Sequence, residues 1–118
     1  MQTPATKTFV SLLSSTGGGT HPNLGAYEGY ESILLLTQGL QGAPANPNAG
    51  ELVASLAKIS DFTAGGLYGG KHVDVNDRVG VTGGPGHCLW MVKFVGTTFQ
   101  LVPGADPICG APTGKTVS

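Results

Sequence analysis

The chain has 118 residues, of which 40% are hydrophobic and only 11% charged, with a formal net charge of −1. That length allows one domain or part of one, and the six scattered Lys and Arg residues argue against a nucleic-acid footprint or an anionic-membrane patch. Glycine (20) and proline (8) point to much irregular structure, yet the apolar share is too high for wholesale disorder.

No stretch free of charges, glycine and proline is long enough to span a bilayer. The opening MQTPATKTFVSLLSS lacks the apolar run of a secretory signal. A core this small and glycine-rich is marginal by itself. The sequence is therefore expected to be either a compact minidomain or a piece of something larger.

Thr3-Pro4 opens a first helix, with Thr3 as N-cap and Pro4 at the first helical position. Phe9, Val10, Leu12 and Leu13 form its apolar side, and Gly17-Gly18-Gly19 ends it. A second helix runs over 26–40, AYEGYESILLLTQGL, with Tyr27, Tyr30, Ile33, Leu34 and Leu40 at three-and-four spacing. Leu35 and Leu36 widen that stripe until most sides are apolar, the pattern of a helix packed between two neighbours. Gly29 and Gly39 each weaken it by about 1 kcal/mol relative to alanine, so close packing is expected to hold it.

Residues 41–47 form a loop. Asn48-Ala49-Gly50-Glu51 reads as a capping box for a third helix carrying Leu52, Val53, Leu56, Ala57 and Ile59, which stops by Ser60-Asp61. His72-Val73-Asp74-Val75 is a short strand candidate, and Asn76-Asp77 marks a turn. Cys88 to Val95 is the best strand. It turns at Gly96-Thr97 into Phe99 to Val102, giving a hairpin. Trp90 is expected in a core or at a packing surface, and everything past Pro103 reads as a loop-rich tail. The helices therefore lack a sheet large enough to bury them.

Little in this pattern points to chemistry. Neighbours in a strand face opposite sides, so His87 is poorly placed to deprotonate Cys88. The three histidines and two cysteines show no metal-ligand spacing. The tail CGAPTGKT resembles a phosphate loop, but Cys109 stands where its first glycine belongs, and neither the preceding strand nor the following helix is there. The clusters TGGGT and TGGPG read as connectors, and Glu28, Glu31, Glu51, Asp61, Asp74, Asp77 and Asp106 show no paired arrangement. Glu28 and Glu31 also suit the helix dipole, and Tyr27 and Tyr30 suit packing. Cys88 and Cys109 bracket the hairpin, whose geometry brings its two ends together. A disulfide is favoured over two half-buried thiols, would stabilise by ~3 kcal/mol and implies an oxidising compartment.

The ordered string NLGAYEGYESILLLTQGLQGAPANPNAGELVASLAKISDFTAGGL, followed by GPGHCLWMVKFVGTTFQLVPGADPICG, resembles the C-terminal region of type I periplasmic-type solute-binding proteins. These are the branched-chain amino-acid, or leucine-binding-like, components of ABC importers. The Cys-x-Trp strand, Lys-Phe hairpin and second cysteine look like the actinobacterial variety. The resemblance covers roughly residues 5 to 110 by motif order. Family members are considerably longer, with a leader and two Rossmann-like lobes. The resemblance therefore implies an α/β C-terminal fragment: the helices of one lobe plus a returning β-hairpin, with Met1 as an internal start.

On that basis residues 1–118 form a partial leucine-binding-like domain. The helical part of the first lobe falls at about 1–75, the hairpin region at about 76–110 and a tail at 111–118. The implied function is that of the substrate-binding component of an ABC importer for branched-chain amino acids or a related small metabolite. It is not an enzyme and has no cofactor. Its partners are a small-molecule ligand and the membrane permease, with no nucleic acid, and its location is the periplasm or the extracellular face of the envelope. Ligand binds between two closing lobes, and Tyr27 and Glu28 are the candidate contacts, with Asn23 to Gly25 nearby. The aromatic usual five positions before Tyr30 is Gly25 here, which leaves the ligand class open. The alternatives are a stand-alone structural or interaction minidomain and, after it, a thiol-dependent enzyme.

Overall fold

The computed structural model describes residues 3–76, 87–103 and 107–111. The chain divides into two compact units, Met1–Asn76 and Asp77–Ser118. The elements form a small mixed set of helices and two-stranded antiparallel sheets. The TGGPG cluster (Thr82 to Gly86), Asp77, Asp106 and residues 112–118, which include most of the phosphate-loop-like tail, lie outside the described residues.

The first unit is helical. Helix α1 spans Pro4–Ser15, and the Thr3 hydroxyl accepts a hydrogen bond from the Thr6 N–H at 3.2 Å. Helix α2 spans Leu24–Gln41 and begins two residues before the expected start at Ala26, because the Asn23 side chain accepts from the Ala26 N–H at 2.9 Å. Helix α3 spans Ala49–Leu56 behind a complete capping box: Asn48 Oδ1 accepts from the Glu51 N–H at 3.0 Å, and Glu51 Oε2 accepts from the Asn48 N–H at 2.9 Å. These two bonds satisfy amide donors that the helix itself leaves unpaired.

Helices α2 and α3 meet through small residues. Gly39 is buried, and its carbonyl accepts from the Ser55 hydroxyl at 2.6 Å. A Cβ at Gly39 would lie 2.5 Å from Leu56 Cδ2 and 2.9 Å from Leu56 Cγ. The expectation that close packing holds this helix therefore describes Gly39. It does not describe Gly29, where a Cβ would meet open space.

After α3 the chain turns back. Phe62 and Val73 form an antiparallel bridge, with N–H to carbonyl distances of 3.0 and 2.8 Å, and the Val75 N–H reaches the Ile59 carbonyl at 3.0 Å. The strand expected at 72–75 is thus reduced to one bridge. Ile59, Phe62 and Ala64 form the buried centre, with Leu34, Leu35, Leu56, Leu67, Tyr68 and Val75 packed against it. A 3₁₀ turn at Ala64–Gly66 shapes this end through left-handed φ values of 49°, 63° and 91° at Ala64, Gly65 and Gly66. Two of those three positions are glycine, as that backbone region favours.

Helix α2 is only partly covered. Leu34 and Leu35 face the core, whereas Ile33 is 61% exposed, Leu36 38% and Leu40 45%. Among the described residues of the first unit, a helix apolar around most of its girth is flanked on one side alone.

The second unit contains four short strands. Strand β1 (Cys88–Leu89) pairs antiparallel with β4 (Ile108–Cys109), and β2 (Val92–Val95) pairs antiparallel with β3 (Thr98–Leu101). The expected hairpin is present, turning at Gly96 with φ of 62°, as a two-residue connection requires. The continuous strand expected over 88–95 breaks at Trp90 and Met91. The Val102 N–H still reaches the Met91 carbonyl at 3.0 Å, and before Trp90 the chain changes partner, with Leu89 opposite Ile108. Ile108–Cys109, expected within the loop-rich tail, is a paired strand instead.

Candidate functional site

The residues marked for ligand contact lie near the start of α2. The Asn23 cap fixes where the helix begins, and so sets the direction of each side chain in its first turns. Tyr27 is half-buried, its ring 4.7 Å from that of Phe9 and tilted by 44°. Tyr30 meets the other flank of Phe9 at 4.8 Å and 36°. Phe9 is therefore gripped between two tyrosines one turn apart, and this cluster docks α1 on α2. Tyr27 thus has a packing role as well as any role toward a ligand.

Glu28 is exposed, and its backbone carbonyl accepts from the Ser32 hydroxyl at 2.7 Å. Consecutive helical residues diverge by about 100°, so Glu28 and Tyr27 point to different faces. Glu31, one turn on from Glu28, accepts a hydrogen bond from the Tyr68 phenol at 3.1 Å. Burial, first, and then the charge and hydrogen bond of Glu31 push the Tyr68 phenol up to about 12. Nothing in the spacing marks this pair, because 37 residues separate its members. It ties α2 to the loop after the 3₁₀ turn.

An open groove of about 490 Å³ runs beside α1, lined by Lys7, Val10, Ser11, Ser14, Ser15 and Thr20. Lys7 supplies the one charge in that lining. Among the described residues there is no group of three or more His, Cys, Asp and Glu side chains that could hold a metal ion. No helix among them is long and apolar enough to cross a membrane.

In the second unit Cys88 and Cys109 are joined by a disulfide across the β1–β4 pair, their Cα atoms 4.0 Å apart and directly opposite in register. Beside it the Gly110 N–H reaches the His87 carbonyl at 3.1 Å. Cys88 is 1% exposed, while Cys109 lies at the surface. The β2–β3 register places Val92, Phe94, Phe99 and Leu101 on one face and Lys93, Val95, Thr98 and Gln100 on the other. Phe94 and Phe99 are a cross-strand pair with ring centroids 5.1 Å apart. Their face is open, with Phe99 74% exposed. Trp90, expected in a core or at a packing surface, is itself exposed.

Comparison with protein-family models, with curated proteins and with solved structures finds no match for this chain.

Proposed function

We propose that this chain is the C-terminal part of a type I solute-binding protein of the leucine-binding-like kind, the non-enzymatic receptor of an ABC importer for branched-chain amino acids or a related small metabolite. The observation that carries the reading is the half-covered α2. Ile33, Leu36 and Leu40 form an apolar stripe left open by the described residues of the first unit, beside the half-buried Leu34 and Leu35, which pack against its core. Such a stripe is costly to keep in water, at about 25 cal/mol per Å² of apolar surface. It makes physical sense as the inner face of a layer that packs on a sheet. The open aromatic face of the β2–β3 hairpin has the same character.

In this reading the ligand lies in a cleft between two lobes that close on it, each lobe supplying part of the contacts. Helix α2 borders the cleft at its N-terminal end. There the exposed Glu28 carboxylate is free to take an α-ammonium group through a charge-assisted hydrogen bond. Tyr27, about 100° round the helix from Glu28 and packed on Phe9, is the second candidate contact, through its phenol. The closed form docks on the membrane permease, and no cofactor takes part. The Cys88–Cys109 disulfide supports placement in the periplasm or on the extracellular face of the envelope.

The reading is tested on the genomic sequence just upstream of the Met1 codon. A continuous frame encoding alternating strands and helices behind a leader is the expected result. An in-frame stop codon with a ribosome-binding site directly before Met1 contradicts it.

A further inference from the structure

We propose that the Cys88–Cys109 disulfide is a redox-removable latch, opened in the folded protein by a dithiol that attacks the Cys109 sulfur. This goes beyond the receptor reading and does not depend on it.

The two cysteines differ in exposure. Cys88 is 1% exposed, while Cys109 lies at the surface on a two-residue strand between Pro107 and Gly110. Thiol–disulfide exchange depends on which sulfur an incoming thiolate can reach, and exposed disulfides are the labile ones. Access therefore directs attack to Cys109 and makes Cys88 the leaving group. Apart from the bond, little backbone pairing holds the two cysteine segments together. The β1–β4 pair is two residues long and closes a segment with 21 residues of sequence separation. A ladder of that length is not independently stable once the covalent bond is gone.

The chemistry balances as a two-electron exchange. A thiolate of the dithiol bonds to Cys109 Sγ, the protein S–S bond breaks, and its electron pair leaves on Cys88 Sγ. The second thiol of the reductant, as thiolate, then attacks the reductant sulfur of the mixed disulfide. The reductant closes into its own disulfide and releases Cys109 as thiolate. Cys88 and Cys109 take up the two protons that the dithiol gave up. The protein disulfide is reduced to two thiols and the dithiol is oxidised.

The test uses the full chain under native conditions with increasing dithiothreitol, quenched in acid and read by mass spectrometry. The expected result is a reduction rate that rises in proportion to dithiothreitol without a plateau, because attack occurs on the folded state. In a parallel arm with glutathione, peptide mapping of the acid-trapped mixed disulfide is expected to place the adduct on Cys109 at least tenfold over Cys88. A rate that levels off independent of reductant means that the bond is reached only through unfolding, and overturns the proposal. An adduct shared equally between the cysteines, or found on Cys88, overturns it as well.

Discussion

Gly29 and Gly39 lie within the same helix and differ in what surrounds them, so alanine at each separates backbone propensity from packing. At both positions alanine gains about 1 kcal/mol of helix propensity. At Gly29 nothing lies within 4 Å of the added Cβ, so the gain is kept in full. At Gly39 the Cβ would stand 2.5 and 2.9 Å from Leu56 Cδ2 and Cγ, well inside contact distance. Leu56 packs against the core of Ile59, Phe62 and Ala64, so its side chain must give up part of that contact to admit the Cβ. Overpacking of this kind costs about 1–3 kcal/mol. Propensity cancels in the comparison, so Gly39→Ala should be less stable than Gly29→Ala by about 1–3 kcal/mol, or about 4–8 °C in Tm for each kcal/mol in a unit of this size. Thermal and urea unfolding followed by far-UV circular dichroism reads the helical unit directly. If the two variants are equally stabilised, the α2–α3 contact described at Gly39 is wrong.

Phe9→Ala should remove the anchor of α1, at a cost of about 3–5 kcal/mol. A 12-residue helix is marginal alone, so roughly a third of the α-helical ellipticity should go with it; retention of the full signal would contradict the Tyr27–Phe9–Tyr30 grip. Asn48→Ala should lower the urea-derived stability by about 1 kcal/mol through loss of the capping box, whereas Asn48→Ser should retain most of it. The Tyr68 phenol is raised from 10.0 to about 12, so the folded state holds that proton more tightly than the unfolded state. Its contribution is intact below pH 10 and is lost as pH climbs from 10 to about 12. In Tyr68→Phe that extra alkaline loss should vanish, together with the latest component of the tyrosinate absorbance titration.

The legible parts of the fold are those where one local interaction decides the outcome. Thr3-Pro4 and the Asn48–Glu51 box mark helix starts because a short side chain closes on an amide three residues on. The hairpin turn is legible because Gly96 takes a left-handed φ between two apolar runs. The break at Trp90 is hidden in a strand that reads as continuous, because it marks a change of partner, from Ile108 opposite Leu89 to Leu101 opposite Val92, that no local signal announces. Strand β4 has only two residues and so no alternation to detect.

Periodicity on α2 reveals the width of the apolar stripe but not what covers it, which is a property of neighbours. The Glu31–Tyr68 bond is invisible in the sequence for the same reason. At the candidate site, the position of Tyr27 and Glu28 near the helix start follows from the Asn23 cap. The engagement of Tyr27 with Phe9 depends on how α1 returns across the Gly17-Gly18-Gly19 turn, and no spacing rule specifies that.

On the proposed receptor reading, the open face of α2 is shaped for another part of a larger two-lobed body and not for a second copy of this chain. Sedimentation equilibrium on the 118-residue chain tests it most directly, beside Ile33→Glu and Leu36→Glu, two substitutions at exposed positions. A monomer is expected for all three proteins across the micromolar range. A discrete, tight dimer of the unaltered chain that either glutamate dissolves would contradict it, and would assign that face to self-association.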